Sequence, residues 1–536
     1  MKETLRQSMA WLHTWGGLLT GWVLFFVFLT GTFGYVNYEV DRWMKPELPL
    51  ASDVATPQLG LGVAETWLQA HASNAESWFI TLPGGRQGTG LSAAWRERPL
   101  GDERYGKYTN ETLDPATGEI VSGQMRETGG GQTLYRMHYE LHYLPYDWAV
   151  RIVGICTMFM LIAILSGIVT HKKIFKDFFT FRPRKGQRSW LDGHNLVSVT
   201  ALPFHLMITW SGLVLFLFTY MPVAVDVLYP EGEARDAFYA KAYGYEARQP
   251  NIVQPAAPTL PLAPLLEKAQ STMGDKHIWR VNVDNPGRAD SRVTFYSSEG
   301  GIGRGGSSVR FDGVNGERLS GPNDRQTSVG AFADILTGLH EGRFAGVVLR
   351  LLYIIAGLSG TAMIATGLLL WSAKRKARLE KAGQRHFGIA AVDILNLGTI
   401  IGLPIGIAAY FWANRLIPTG IEGRGAWEIH SMFIAWGLTF LWAIWRPLDR
   451  AWLELCGLAA AACGLIPILN ALTTSRHLGI TVPAGDWVLA GFDLFAFGAG
   501  LFFLFLARTL RRKQSARPPA RETIIDESAA PVVPAQ

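Results

Sequence analysis

The sequence predicts an α-helical membrane protein with about eight transmembrane helices and two small α+β domains outside the membrane, arranged as an internal repeat. Three observations predict it. Of 536 residues, 49% are hydrophobic and 12% aromatic, with a mean hydropathy of +0.14, which is too apolar for an ordinary soluble enzyme. Eight apolar segments are long enough to cross a bilayer, and the chain matches itself at two fixed offsets.

A spanning helix needs about 20 mainly apolar residues. The candidates are residues 10–36, 148–170, 196–221, 346–372, 389–413, 426–446, 451–471 and 486–508. They divide the chain into a first helix within 1–36, a polar domain at 37–145, two helices joined by a basic loop at 146–221, a second polar domain at 222–343, and a fourth helix at 344–375. A four-helix extension at 386–510 and an Ala- and Pro-rich tail at 511–536, expected to be disordered, complete it.

Lysine and arginine set the orientation. The 171–190 loop carries Lys172, Lys173, Lys176, Arg182, Arg184, Lys185 and Arg188, the 374–385 loop carries Lys374, Arg375, Lys376, Arg378, Lys381 and Arg385, and Arg508, Arg511, Arg512 and Lys513 open the tail. Basic loops stay in the cytoplasm, so both termini are expected inside and both polar domains outside. The net charge is +6, and no nucleic-acid partner is expected. The three cysteines, Cys156, Cys456 and Cys463, all lie in apolar segments. They form no disulfide framework and no CxxCH attachment site, so any haem would be non-covalent.

The repeat is specific. A shift of 181 residues lays His13 on His194 and Thr30-Gly31 on Ser211-Gly212. A shift of 198 lays Asp114, Gly118, Glu119, Ser122 and Gly123 on Asp312, Gly316, Glu317, Ser320 and Gly321, and His142 on His340. Residues 1–375 therefore read as two copies of helix, outer domain, helix, running in the same direction. Each outer domain has an amphipathic helical stretch, "VAETWLQAH" or "LAPLLEKAQS", followed by strand-like runs such as "SWFITL" and "DSRVTFYSS". "DPATGEIV" reads as strand, turn, strand, with Gly118 taking a positive φ and Asp114 bonding the turn backbone. "GIGRGG" at 301–306 matches a dinucleotide pattern in letters alone, with no strand-turn-helix setting.

These motifs carry a resemblance. The "DxxTGE" turn in an outer domain, "LHTWGG" opening the first span, "GHN" opening the third, and "LHY" and "LHEGRF" before the second and fourth resemble the PepSY-associated transmembrane family over about residues 5–375. Within it, "GIVTHKKIFKDFFTFRP" and "WLDGHNLVSVTALPFHLMITWSGL" are similar to the subgroup of bacterial inner-membrane di-haem ferric-siderophore reductases. The resemblance implies PepSY-like periplasmic domains, two b haems, a ferric siderophore of the hydroxamate type as substrate, and release of ferrous iron in the periplasm. Reduction helps release, because hard oxygen donors hold ferric iron far better than ferrous. No flavin or nicotinamide motif is evident, so the expected inner donor is membrane quinol or a separate reductase.

Intramembrane histidine tends to mark function. The repeat puts one histidine at the inner end of each first helix, His13 and His194, and one at the outer end of each second helix, His142 and His340. A six-coordinate haem takes axial ligands from opposite sides, so the simplest set is an inner haem on His13 and His194 and an outer one on His142 and His340. His171 and His205 are rivals that would shorten the path, with His205 about 16 Å beyond His194 at helical rise. His138, one turn before His142, rivals it at the outer site. Arg151 and Arg350 suit haem propionates or simply snorkel to water. His430 suits a quinone or a bond to a neighbouring helix. His71, His277, His386 and His477 read as surface groups, and Trp95, Arg96, Tyr105, Arg304 and Arg310 are outer-surface groups able to meet a siderophore.

Two other classes stay open. One is a haem-free scaffold whose outer domains bind peptide or protein. The other is a transporter, for which Asp393, Glu454 and Asp493 are the available acids in the last four helices.

Overall fold

The computed structural model describes residues 4–86, 88, 90–100, 105–121, 123, 125–171, 182, 186–229, 232–243, 253–274, 276–297, 302, 307–321, 328–381 and 386–516. Most of the basic 171–190 loop, the "GIGRGG" segment other than Ile302, and the tail from 517 lie outside them.

The first repeat unit begins with α1 (Leu5–Phe33), continued after a short 3-10 turn by α2 (Asn37–Met44). Its sheet domain holds α3 (Pro57–His71), β1 (Ser77–Thr81), β2 (Leu91–Arg96) and β3 (Tyr108–Leu113), and the unit closes with α4 (Gly130–Glu140) and α5 (Tyr146–Thr170). The second unit begins with α6 (Gln187–Thr200) and α7 (Leu202–Leu215). Its sheet domain holds α8 (Leu262–Met273), β4 (Ile278–Asp284), β5 (Arg292–Ser297), β6 (Ser307–Asp312) and β7 (Arg318–Ser320), and α9 (Ser328–Glu341) and α10 (Val347–Lys381) close it. The extension comprises α11 (Phe387–Ile400), α12 (Gly402–Leu416), α13 (Arg424–Trp445), α14 (Leu448–Gly464), α15 (Ile466–Thr473) and α16 (Trp487–Ser515).

Among the described residues six spans are long and apolar enough to cross a membrane: α1 with α2, α5, α10, α11 with α12, α14 with α15, and α16. The expected third span is broken: α6 and α7 meet at an angle of 69°. Pro203, in the first turn of α7, supplies no N–H and clashes with the carbonyl four residues back, so a straight helix cannot run through it. The 16 Å offset of His205 from His194, which assumed one straight helix, does not hold. The expected sixth span is the 22-residue α13, whose Glu428 and His430 dilute its apolar character below that of the six. Of the eight expected spans, six meet that test among the described residues, or seven with the bent pair. The basic run from Lys374 is not a loop at first: it continues α10 as far as Lys381.

The two outer domains form a single sheet. Its order is β3-β2-β1-β4-β5-β6-β7, and β1 pairs antiparallel with β4, placing Trp78 opposite Val283 and Ile80 opposite Val281. Period-two alternation sends Trp78, Ile80, Leu91, Val281, Val283, Val293, Phe295, Val309 and Phe311 to one face, where Leu61, Ala64 and Leu68 of α3 and Leu265, Leu266 and Ala269 of α8 cover them. The joining ladder removes an exposed edge from each half. The paired turns are the same device twice. Asp114 Oδ1 accepts from the Ala116 and Thr117 amides at 2.8 and 2.9 Å, and Asp312 Oδ1 from Val314 and Asn315 at 2.8 and 3.0 Å. Gly118 and Gly316 both have φ +74°, a conformation that side chains resist.

The extension is fastened to the first unit at the sheet-side end by buried polar groups. Arg424 and Glu428, both fully buried, form an ion pair within α13. Glu428 Oε2 also accepts from Thr128 Oγ1 at 2.6 Å and the Gly129 amide at 3.0 Å, beside the start of α4. Tyr410 donates to the Gly130 carbonyl at 2.8 Å. Arg42 forms an ion pair with Asp486, and Asp493 accepts from Trp43 Nε1 at 2.9 Å and Asn470 Nδ2 at 3.0 Å.

Candidate functional site: two facing imidazole pairs

Two histidine pairs stand at opposite ends of α1. His13 on α1 faces His194 on α6, with ring centroids 6.2 Å apart. His138 on α4 faces His340 on α9 at 6.4 Å, with ring planes 24° apart. His138 packs against Gly31, and His13 and Gly31 are separated by about 27 Å of helical rise. The far-side pair matches the expectation in its two residues. The sheet-side pair does not, because His138 and not His142 meets His340.

The helix ending explains the exchange. In α4 the helix stops at Glu140, and Leu141 and His142 both adopt left-handed backbone, φ +50° and +46°. That turn carries His142 away to Phe433, on which it stacks at 5.8 Å. In α9 the corresponding turn falls at Gly342, φ +61°, so His340 remains inside its helix. The "LH" letters that align at a shift of 198 therefore lie about one turn out of structural register.

Each paired ring is held by Nδ1. His13 Nδ1 donates to the Ala163 carbonyl at 2.7 Å, and His194 Nδ1 to the Met363 carbonyl at 2.9 Å. His340 Nδ1 is 2.8 Å from Ser211 Oγ. The Ser211 hydroxyl hydrogen is already given to the Met207 carbonyl, so the imidazole is the donor. His138 Nδ1 donates to the Tyr135 carbonyl. With the proton fixed on Nδ1, Nε2 carries the lone pair in all four rings, the tautomer that an oxygen acceptor on Nδ1 imposes on a metal-ligating histidine.

Glycines make the rings fit between helices. A methyl carbon at Gly167 would stand 3.2 Å from His13 Cε1, at Gly367 3.3 Å from His194 Cε1, and at Gly212 3.2 Å from His340 Cε1. The space beside each ring exists because those side chains are absent.

This donor set suits an iron held between two imidazoles. Metal–imidazole bonds of about 2 Å on each side place the ring centroids roughly 6 Å apart. Among the described residues no group of three or more His, Cys, Asp or Glu side chains is placed to hold a metal ion. Two protein ligands per site fit a haem, whose porphyrin supplies the other four. Near the sheet-side pair, Arg350 Nη1 and Arg86 Nε both meet Glu39 Oε1, at 2.7 and 3.0 Å, and Arg350 Nε is buried with no partner. Two guanidiniums on one carboxylate leave positive charge for a propionate. Arg86 was not marked by the sequence, since it lies in a β1–β2 loop distant along the chain. Arg151 is exposed.

The remaining candidates fall elsewhere. His171 caps the end of α5 and accepts from Asn195 Nδ2 at 3.0 Å. His205 is fully buried between Phe28, 6.3 Å away, and the Ala356 carbonyl, 3.3 Å from its Nε2. His171 lies within electrostatic range of His194, with its Nε2 engaged by Asn195. His430 Nδ1 is 2.5 Å from the Tyr143 hydroxyl, a bond from α13 to the turn between α4 and α5. On the sheet, Arg96 lies over Tyr105 and Phe79, Arg310 bonds Thr294 on the same face, and Trp95 turns to the helix side against Trp67. Arg304 lies outside the described residues.

The acids weighed for transport are all engaged. Asp393 pairs with Lys376 at 2.6 Å, Glu454 pairs with Arg446, and Asp493 is bonded as described above.

Comparison with known proteins agrees with this architecture. The family model for the PepSY-associated TM region matches residues 10–374, which is the two-unit repeat and stops before the extension. The chain is also 23% identical over 399 residues to the uncharacterized protein PA4219 of Pseudomonas aeruginosa, covering 70% of this chain and 93% of that one.

Proposed function

Because this chain belongs to the PepSY-associated transmembrane family, and its repeat brings histidines into two facing pairs, we propose that it is a di-haem membrane oxidoreductase that reduces ferric siderophore and releases ferrous iron. The observation that carries this reading is the geometry of the four rings: centroids 6.2 and 6.4 Å apart, every Nδ1 occupied, every Nε2 left to bind iron. His13 and His194 hold the far-side b haem, and His138 and His340 the sheet-side one. Bound haem supplies one-electron chemistry at a potential set by ligation and burial.

The chain's own contribution is placement. Ala163, Met363, Ser211 and Tyr135 fix the tautomers, and the facing glycines admit the rings. Arg86 and Arg350 neutralise propionate charge, and His205 with Phe28 packs the core between the pairs. Basic segments at Lys374–Lys381 and at the end of α16 put the far side in the cytoplasm. The sheet is then periplasmic, both termini are cytoplasmic, and the membrane is the bacterial inner one. The electron donor is membrane quinol or a separate reductase, and the substrate is a hydroxamate-type chelate that meets the sheet side.

A reduced-minus-oxidised visible spectrum with haem quantitation on the detergent-purified protein tests the reading. About two b haems per chain are expected. A colourless protein after expression with ample haem overturns it and leaves the haem-free scaffold.

A further inference from the structure

The histidine displaced from the sheet-side pair lies in a setting of its own. Consecutive left-handed residues, Leu141 and His142, are uncommon outside glycine, and such strain gathers where function requires it. Here it turns His142 toward α13, within the turn that leads into the exposed aromatic residues Tyr146 and Trp148. His142 stacks on Phe433, Tyr143 packs edge-on against Phe433 at 4.8 Å, and Trp427 packs edge-on against His430 at 5.4 Å. Tyr143 and Trp427 are each more than half exposed, at 54% and 52%. The Tyr143 hydroxyl and His430 Nδ1 bond each other. The nitrogens of His142 make no hydrogen bond among the described residues.

An ordinary interfacial aromatic belt needs none of this. Belt residues present one polar tip to the headgroups, whereas here two imidazoles and a phenol converge around a partly exposed aromatic wall. Polar groups at that depth are costly unless they are matched. The matching ligand must arrive through the bilayer, be flat and aromatic enough to lie on Phe433 and Trp427, and carry oxygens that both donate and accept hydrogen bonds.

We propose that His142, Tyr143 and His430 bind the head group of a membrane quinone or quinol. His142 and the free Nε2 of His430 bond its ring oxygens, Phe433 and Trp427 flank the ring, and the isoprenoid tail lies in the bilayer. This goes beyond the reductase reading by naming the carrier and placing it on the sheet side, four residues along the chain from His138. If that reading holds, one quinol and two ferric chelates give one quinone, two protons and two ferrous ions. The two O–H bonds break, their protons leave by way of His142 to the outer water, and each iron gains one electron. Binding itself does not depend on haem.

The test is photolabelling of the full chain in lipid nanodiscs with an azido-ubiquinone, followed by peptide mapping. Label is expected within 139–148 and 424–436, and decylubiquinone should suppress it. His142→Leu and His430→Leu should each cut labelling at least fivefold and Tyr143→Phe about twofold, with the haem spectrum unchanged. Should His430→Leu fail to fold, His430→Gln and Tyr143→Phe carry the comparison. Label spread evenly over lipid-facing positions such as Leu352 and Phe505, or labelling indifferent to the substitutions, overturns the proposal. A colourless protein that still labels at this cluster would overturn the haem reading and leave the quinone site standing.

Discussion

The far-side and sheet-side imidazole pairs are built from the same repeat, yet only the first is symmetric. His13 and His194 each sit on the first helix of their unit. Each bonds a backbone carbonyl, of Ala163 or Met363, one turn before the glycine that admits its ring, Gly167 or Gly367. The sheet-side pair shares the spacing but not the supports: His340 is held by Ser211 from a neighbouring helix, His138 by Tyr135 from its own turn. The difference shows what a repeat conserves in space. Register is kept where the helix itself carries the residue, and is free to slip where a turn intervenes.

The largest expected effect breaks the comparison at its weakest point. His138→Ala or His340→Ala should remove one of the two haems and leave the other, as His13→Ala or His194→Ala should on the far side, whereas His142→Ala should retain both. Haem quantitation and the difference spectrum decide this, and loss of a haem in His142→Ala with retention in His138→Ala would reverse the assignment.

Next in size is the support from the extension. Breaking a buried ion pair by removing one partner costs about 3–5 kcal/mol, so Glu428→Ala should lower the melting temperature markedly. Since Glu428 also holds Thr128 and Gly129 at the start of α4, the sheet-side haem should be lost before the far-side one as the protein is warmed. Equal loss from both sites would show that the extension does not act through α4.

Crowding the rings gives a smaller effect. Overpacking typically costs about 1–3 kcal/mol, and the clearances predict that Gly212→Ala disturbs its histidine more than Gly31→Ala, where the nearest His138 atom is 3.6 Å away. On the far side, Gly167→Ala and Gly367→Ala should be equivalent, as read from the haem spectrum of each variant.

The smallest effect concerns the turns. The Thr117 and Ala116 amides hold the Asp114 carboxyl below the usual carboxylate range. A depressed folded pKa gives stability that is present above the unfolded value, near pH 4, and lost as pH falls through the folded one. Asp114→Asn should therefore lower the melting temperature slightly at pH 7 and make progressively less difference as the pH falls through the folded value, checked by paired thermal melts across pH.

Much of the fold could be read from the chain. The doubled "DxxxGE" turns, α3 and α8, and β1 and β5 fall where patterning puts them, because period and turn chemistry are local. The far-side pair was legible because His13 and His194 each lie inside one unbroken helix, α1 or α6. His138 was visible only as a rival, since choosing it requires knowing that Leu141 and His142 take left-handed backbone, which neither residue type announces. A hint lay in Gly31 and Gly212, which align at 181 and pack against the sheet-side rings. The bend before α7 was signalled by Pro203. The fusion of the two sheets through β1 and β4, and the Arg86–Glu39–Arg350 cluster, depend on segments far apart in sequence and had no local signature.

The shared sheet also limits how the molecule can move. Rocking of one repeat against the other is the usual motion of transporters built from repeats. In this chain five residue pairs, from Ser77 with Asp284 to Thr81 with Arg280, zip the two units together, and a rocking motion would have to shear that seam on every cycle. The repeat is a rigid yoke, suited to keeping four rings at fixed separations.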